Sequence, residues 1–189
     1  YEEILKIIVD FHCILTRSET AVSKELIDSA PNLKVIARGA VGIGNIDVDY
    51  ATEKGILVIN TPGINTTSAA ELAIGLLLSA LRNIVSAHSH MNELKWDRHE
   101  FTGTELLGKS IGLIGLGNVG HRVARYAKAF EMEVLAYDPY VSDEVFDRHH
   151  TRKCTLDGLL ARADIISMHV PINEETKGMI DAEEFNLMK

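Results

Sequence analysis

Ile111-Gly112-Leu113-Ile114-Gly115-Leu116-Gly117-Asn118-Val119-Gly120 is the stretch on which the reading of the fold turns. Four mostly apolar residues, 111–114, have the length and character of a buried strand. They run into a GxGxxG whose second half opens an amphipathic helix, Val119–Phe130, with Val123, Ala124, Ala127 and Phe130 on one side. A second apolar strand, Val134–Tyr137, follows and ends at Asp138. Each glycine has a separate task in such a unit. Gly115 permits the tight turn, Gly117 lets backbone approach a pyrophosphate, and Gly120 allows helix and strand to pack closely. The helix amino end offers N–H groups and a partial positive charge to phosphates. Asp138 can accept both hydroxyls of a ribose and would repel a 2′-phosphate, which favours NAD over NADP.

Moving outward, the same alternation recurs. Leu156–Ala161 reads as a helix and Ile165–Val170 as a third strand. Upstream, Ile4–Val9 suits the end of a helix or a strand, Cys13–Thr16 a short strand, Ala21–Ser29 a helix, Leu33–Ala37 a strand, Asp47–Lys54 a helix closed by Gly55, and Ile56–Ile59 a strand. Strand–helix alternation implies parallel sheets. The expected class is therefore α/β. A Rossmann-like doubly wound sheet is expected in the second half, and the family resemblance described below implies a partial flavodoxin-like substrate lobe in the first, both truncated. The expected bounds are 1–81 for the substrate lobe and 82–189 for the dinucleotide domain. One long helix, about 68–94, links them, with Ser68 as N-cap and Glu71 as its capping-box partner. That helix is apolar all round through Leu81, which predicts burial on several sides.

The 189 residues carry a formal net charge of −8, which argues against nucleic-acid or acidic-membrane partners. Cys13 and Cys154 stand alone, outside any metal-ligand spacing, and read as reduced, packed thiols of a cytoplasmic protein. The apolar run Leu72–Leu81 is too short to span a bilayer. No histidine spacing points to a metal. His88 and His90 diverge on a helix, His149 and His150 are adjacent in a polar loop, and His12, His99 and His121 are isolated.

With these motifs in hand, the chain resembles the D-isomer-specific 2-hydroxyacid dehydrogenases along nearly its whole length. The resemblance rests on Thr61-Pro62-Gly63 through Ser68-Ala69-Ala70-Glu71, on Thr102-Gly103-Thr104-Glu105-Leu106-Leu107-Gly108-Lys109, on the glycine loop, and on His169-Val170-Pro171 with Thr176-Lys177-Gly178. It implies NAD as cofactor, held by Val41, Gly115, Gly117, Asn118, Val119, Gly120, Asp138, Pro139, His169, Val170, Pro171 and Thr176. Within the family, Thr16-Arg17-Ser18 and Arg38-Gly39-Ala40-Val41-Gly42 are similar to the phosphoglycerate-oxidising type. Arg17, Ser18, Arg38, Ala40, Val41 and Gly42 are then expected to hold an anionic substrate. Arginine suits phosphate and carboxylate, and small residues expose backbone N–H groups to an anion. Ala21, Val41 and Gly44 depart from that type, where Lys, Thr and Asp are common, and this bears on the substrate rather than the cofactor.

The resemblance further implies a histidine base, an arginine and a tuning acid beyond Lys189. No catalytic residue is therefore expected in this chain, and turnover by it alone is not expected. The expected activity is NAD-dependent oxidation or reduction of a D-2-hydroxy acid, 3-phosphoglycerate first. Hydroxypyruvate, glyoxylate or D-lactate reduction is the alternative, as is a non-enzymatic NAD-sensing module like the C-terminal-binding-protein corepressors. A homodimer or higher homo-oligomer is expected from the family and the apolar helix.

Overall fold

The computed structural model describes residues 1–17 and 19–189. They form two compact units, Tyr1–Asn65 and Thr66–Lys189.

In the first unit, α1 (Glu2–Ile7) and a 3-10 turn (Ile8–Asp10) precede β1 (Cys13–Thr16), α2 (Lys24–Asp28), β2 (Val35–Arg38), α3 (Val48–Glu53) and β3 (Leu57–Ile59). The strands form a parallel sheet in the order β1-β2-β3. Ile36, fully buried on the central strand, packs with Val22, Leu26, Ile27 and Ala51. Helix α2 is shorter than its apolar spacing predicts. Ser23 caps it by accepting the Leu26 N–H, and Val22 instead makes a parallel bridge to Ile46. Asp47 caps α3 by accepting the Tyr50 N–H.

The second unit begins with α4 (Thr66–Leu81) and α5 (Ile84–Asn92). It continues with β4 (Ser110–Ile114), α6 (Gly120–Ala129), β5 (Glu133–Tyr137), α7 (Asp143–Arg148), β6 (Arg152–Lys153), α8 (Leu156–Leu160), β7 (Ile165–Met168) and α9 (Ala182–Leu187). Its parallel strands run in the order β6-β5-β4-β7. The sheet is wound on both faces, and the alternation of strand side chains shows it. Ile111, Leu113, Val134 and Ala136 pack with Ala70 of α4 and with Val123, Ala124 and Ala127 of α6. Ile114 and Leu135 pack on the other face with Leu159 and Leu160 of α8.

The long helix expected over 68–94 is two helices, bent by 64°. Asn83 is left-handed (φ 54), and the carbonyl of Leu81 accepts the N–H of Thr104. Asparagine is among the few residues that enter this conformation readily, so Arg82-Asn83 ends α4 as a glycine would. The helix starts at Thr66, which puts Ser68 inside the first turn rather than at the cap. Helix α4 packs into the second unit's core, where the sequence alone assigns residues up to 81 to the first unit. Nor is it buried all round: Leu72 and Leu76 are 63% and 62% exposed. Cys13 is exposed and Cys154 half-exposed, both unpaired, rather than packed away. Among the described residues no single helix is long and apolar enough to cross a membrane.

Candidate functional site

In the second unit the chain order of the strands reverses direction at β4: β5 and β6 lie to one side of it and β7 to the other. Loops leaving the carboxyl ends of β4 and β7 must diverge there, opening a crevice where ligands bind in open α/β sheets. Gly115 leaves β4 at this point and His169 leaves β7.

Gly115 has φ +94, and its N–H donates to the Tyr137 carbonyl at 2.8 Å. A Cβ there would stand 2.7 Å from the His169 carbonyl oxygen. Both backbone angle and space therefore require glycine. Gly120, the first residue of α6, is equally constrained, since its Cβ would overlap the Gly115 carbonyl oxygen. Gly117 differs, because a Cβ there would meet nothing within 4 Å. It faces open space beside the amino end of α6, as a residue should if a ligand is to approach its backbone. Asn118 and Val119 complete this end of the helix, with Asn118 exposed and Val119 partly so.

Asp138 follows the last residue of β5. Its Oδ2 accepts the Leu116 N–H at 2.8 Å and its Oδ1 accepts the Tyr140 N–H at 2.9 Å. The acid is thus tied to the glycine loop itself. A carboxylate has about four acceptor positions, so two backbone donors leave capacity for ligand hydroxyls.

Gly115, Gly117, Asp138, Pro139, His169, Val170, Pro171 and Thr176 share one cavity of about 210 Å³. Tyr137, Tyr140, Asn173, Glu175 and Met179 complete its wall. Its far side is a compact turn in which Asn173 Oδ1 accepts the N–H groups of Glu175 and Thr176, and the Thr176 hydroxyl donates to the Pro171 carbonyl at 2.5 Å. Tyr140 donates its hydroxyl to Glu175, joining two parts of the wall. That bond, with burial and the nearby Tyr137 and Asp138, raises the phenol above its ordinary pKa. The His169 ring pairs with the Ser167 hydroxyl at 3.0 Å, and burial holds it below the ordinary imidazole pKa. Burial thus favours the neutral form of the ring. Tyr140 and Glu175 were not among the expected site residues, because nothing in their spacing shows that two residues so far apart in sequence meet.

The remaining expected residues lie in the first unit, at the carboxyl edge of its sheet. Thr16 and Arg38 are register partners at the ends of β1 and β2, and Arg17 follows Thr16. Arg17 is exposed and Arg38 half-buried, with Nη1 over Gly42, 3.9 Å from where its Cβ would be. Asn45 donates to the carbonyls of Arg17 and Thr20 at 2.8 and 2.6 Å. Asn60 donates to the Val41 carbonyl at 2.6 Å, and the Thr61 N–H to that of Ala40 at 3.1 Å. These asparagines hold the two loops that carry Arg17, Ala40, Val41 and Gly42. Ser18 lies outside the described residues.

The glycine cradle, the open approach at Gly117 and the acid beyond β5 fit a dinucleotide. Comparison with known proteins agrees. Residues 74–189 match the family model of the D-isomer specific 2-hydroxyacid dehydrogenase NAD-binding domain. The D-3-phosphoglycerate dehydrogenase of Archaeoglobus fulgidus is 47% identical over 188 residues, covering 100% of this chain and 36% of that protein. The hydroxypyruvate reductase of Thermotoga maritima is 44% identical over 188 residues, covering 100% and 60%. A crystal structure of D-lactate dehydrogenase from Aquifex aeolicus, complexed with NAD and lactic acid, superposes with a TM-score of 0.87 at 33% identity, covering 98% of this chain and 56% of that one. The chain thus spans about a third to three-fifths of the length of these relatives.

Proposed function

Because the chain belongs to the D-isomer specific 2-hydroxyacid dehydrogenase family and contains its NAD-binding domain, we propose that it serves NAD-dependent interconversion of a D-2-hydroxy acid and its 2-keto acid, with 3-phosphoglycerate as substrate. The observation that carries the cofactor half is the meeting of Gly115, Asp138 and His169 around one cavity at the strand-order reversal. Asp138 would hold the ribose hydroxyls at the adenine end. Gly117, Asn118 and Val119, at the amino end of α6, would hold the pyrophosphate. Tyr137, Pro139, Val170, Pro171 and Met179 would pack against the base. Bound NAD supplies an acceptor for the hydrogen that leaves C2 of the hydroxy acid as hydride.

Support for the phosphorylated substrate comes from Arg17 and Arg38, which stand at one edge of adjacent strands in the first unit, and from the phosphoglycerate dehydrogenase relative. Val41 is carried in the loop after Arg38 and is proposed to face the cofactor. Hydroxypyruvate is the second reading, favoured by the Thermotoga maritima relative. In an enzyme carrying this domain, kcat/KM for 3-phosphoglycerate and for D-glycerate separates the two. Arg38→Ala should depress the first selectively. Equal values for both compounds would reject the phosphate reading.

We also infer that the 189 residues alone bind dinucleotide without turnover. His169, the histidine lining the cavity, is paired with a serine hydroxyl rather than a carboxylate, so it is not arranged as a general base. Titration with NADH and NADPH, followed by nicotinamide fluorescence, tests the cofactor assignment; NADH should bind at least about tenfold tighter. A homodimer in the cytoplasm is inferred from exposed Leu72 and Leu76 on α4 and from two unpaired cysteines. Light scattering tests the dimer.

A further inference from the structure

Beside α6, and sharing no lining residue with the dinucleotide cavity, lies a cleft of about 370 Å³. Its wall is His121, Arg122, Arg125, Lys128, Arg148, His149 and His150. Every one of these is basic, in a chain whose net charge is −8. Among the described residues none of the seven forms an ion pair with a carboxylate.

The acids nearest in sequence, on α7, do not close the cleft. Asp143 is paired with Lys153 at 2.5 Å, and Glu144 feels Arg148 only through space. Asp147 is exposed and is not part of the wall.

The cationic groups are held together rather than left to spread. Lys128 donates its ammonium to the His149 carbonyl. The His121 and His149 rings stack with centroids 4.8 Å apart and planes at 18°. His121 Nδ1 is fixed on the Gly117 carbonyl at 2.8 Å, so its Nε2 is the nitrogen left for another partner. Arg122 Nε is buried with no hydrogen-bond acceptor. His150 is left-handed at φ 47, a conformation uncommon for a residue with a side chain. Like charges gathered at this density repel one another, and among the described residues no carboxylate closes on them as an ion pair. Burial first, then repulsion from His121, Arg148, Lys128 and His150, holds His149 below the ordinary imidazole pKa, and burial does the same to Lys128.

We propose that this cleft is a binding site for a small phosphate anion carrying two or more negative charges. Three guanidinium groups present forks of the geometry that phosphoryl oxygens accept in pairs. A multivalent anion would supply counter-charge and an acceptor for Arg122.

The test is inorganic pyrophosphate titrated into the ¹⁵N-labelled chain, with amide shifts read by NMR at constant ionic strength. Arg148, His149 and His150 are the decisive reporters, since they lie outside the glycine loop. Saturable shifts there are expected, with orthophosphate binding more weakly. Arg125→Ala combined with Arg148→Ala should raise the dissociation constant at least about tenfold. Both side chains are exposed, so the spectrum elsewhere should overlay that of the parent. The corresponding double Lys variant, which keeps the charge but not the forks, should recover only part of the affinity lost in the Ala variant. Shifts confined to Gly115–Gly120 would place pyrophosphate in the dinucleotide loop only and overturn the proposal. Absence of saturation at 148–150, or unchanged affinity in the Ala variant, would overturn it equally.

Discussion

Gly120 lies directly against Gly115: a side chain on the first would occupy the place of the second's carbonyl oxygen. Two glycines five positions apart are thereby one steric unit, joining the end of β4 to the start of α6. The obstacle is backbone, which cannot rotate aside as a flexible side chain would. Gly120→Ala should lower stability by about 1–3 kcal/mol, the usual cost of forcing extra volume into a packed region. Urea unfolding measures it. Gly117→Ala, where space is open, should leave the urea midpoint nearly unchanged while weakening NADH binding.

Asp138 joins two functions that a substitution can separate. Asp138→Asn keeps one acceptor oxygen for the backbone donors at Leu116 and Tyr140 but removes the negative charge. It should relax the NADH-over-NADPH preference at a stability cost of about 1 kcal/mol, because the amide nitrogen faces one of the two N–H donors. Asp138→Ala frees both backbone N–H groups and should in addition weaken NADH binding by about tenfold or more. Fluorescence titration with both cofactors compares the two variants.

The Asp164 carboxylate accepts from the Ser110 N–H at 2.9 Å, the Ser110 hydroxyl at 2.8 Å and the Lys189 ammonium at 2.9 Å. The backbone donor first, then Lys189 and the hydroxyl, hold its pKa well below the ordinary value of 3.8. The folded state therefore binds this proton less readily than the unfolded state. The resulting stabilisation is complete above pH 3.8 and fades as pH falls toward the folded value. Asp164→Asn should lower the urea midpoint at pH 7, and its deficit against the parent should shrink below about pH 3.8.

His169 acts in the same direction, in a higher pH window. Burial depresses its pKa from 6.5, so on acidification the unfolded chain takes up this proton first. Stability should fall as pH drops through 6.5, and His169→Gln should flatten that part of the profile. His149, also depressed, contributes to the same slope and should persist in the variant. Thermal unfolding between pH 8 and 5 is the measurement, a range of about one and a half units either side of the ordinary histidine value.

Asn83 turns the chain between α4 and α5 in a left-handed conformation. Asn83→Gly should be neutral or slightly stabilising. Asn83→Val should cost about 1–2 kcal/mol, because a β-branched side chain crowds the following carbonyl there. Melting temperatures of the two variants test the sign.

Much of the fold is legible in local pattern. Cys13–Thr16 is a strand with the bounds its apolar run implies, and the glycine loop, α6 and β5 stand where their spacing puts them. What escapes is structure without an apolar signature. Strand β6 is Arg152-Lys153, joined to β5 by backbone pairing and by the Arg152–Glu133 ion pair at 3.5 Å, with no apolar side chain. Helix α7 contributes one buried side chain, Phe146, too few to set a period. Asn83 is a legible stop signal, but the apolar run across it outweighs one residue. For the site, Gly115, Asp138 and His169 are legible because strand ends in a parallel sheet fall on one edge. The bond between Tyr140 and Glu175, and the meeting of His121 with His149, arise only from tertiary packing.

The corner at Asn83 also divides the second unit kinetically. Helix α4 has Ala70 fully buried in the core, whereas α5 has no buried residue. Opening α5 therefore exposes little apolar surface, and its amide hydrogens should exchange with solvent through cheap, local fluctuations. Those of β4, buried at every position, should exchange only when the whole sheet comes apart. A single polypeptide would then show two clocks, a fast one beyond the corner and a slow one beneath the glycine loop.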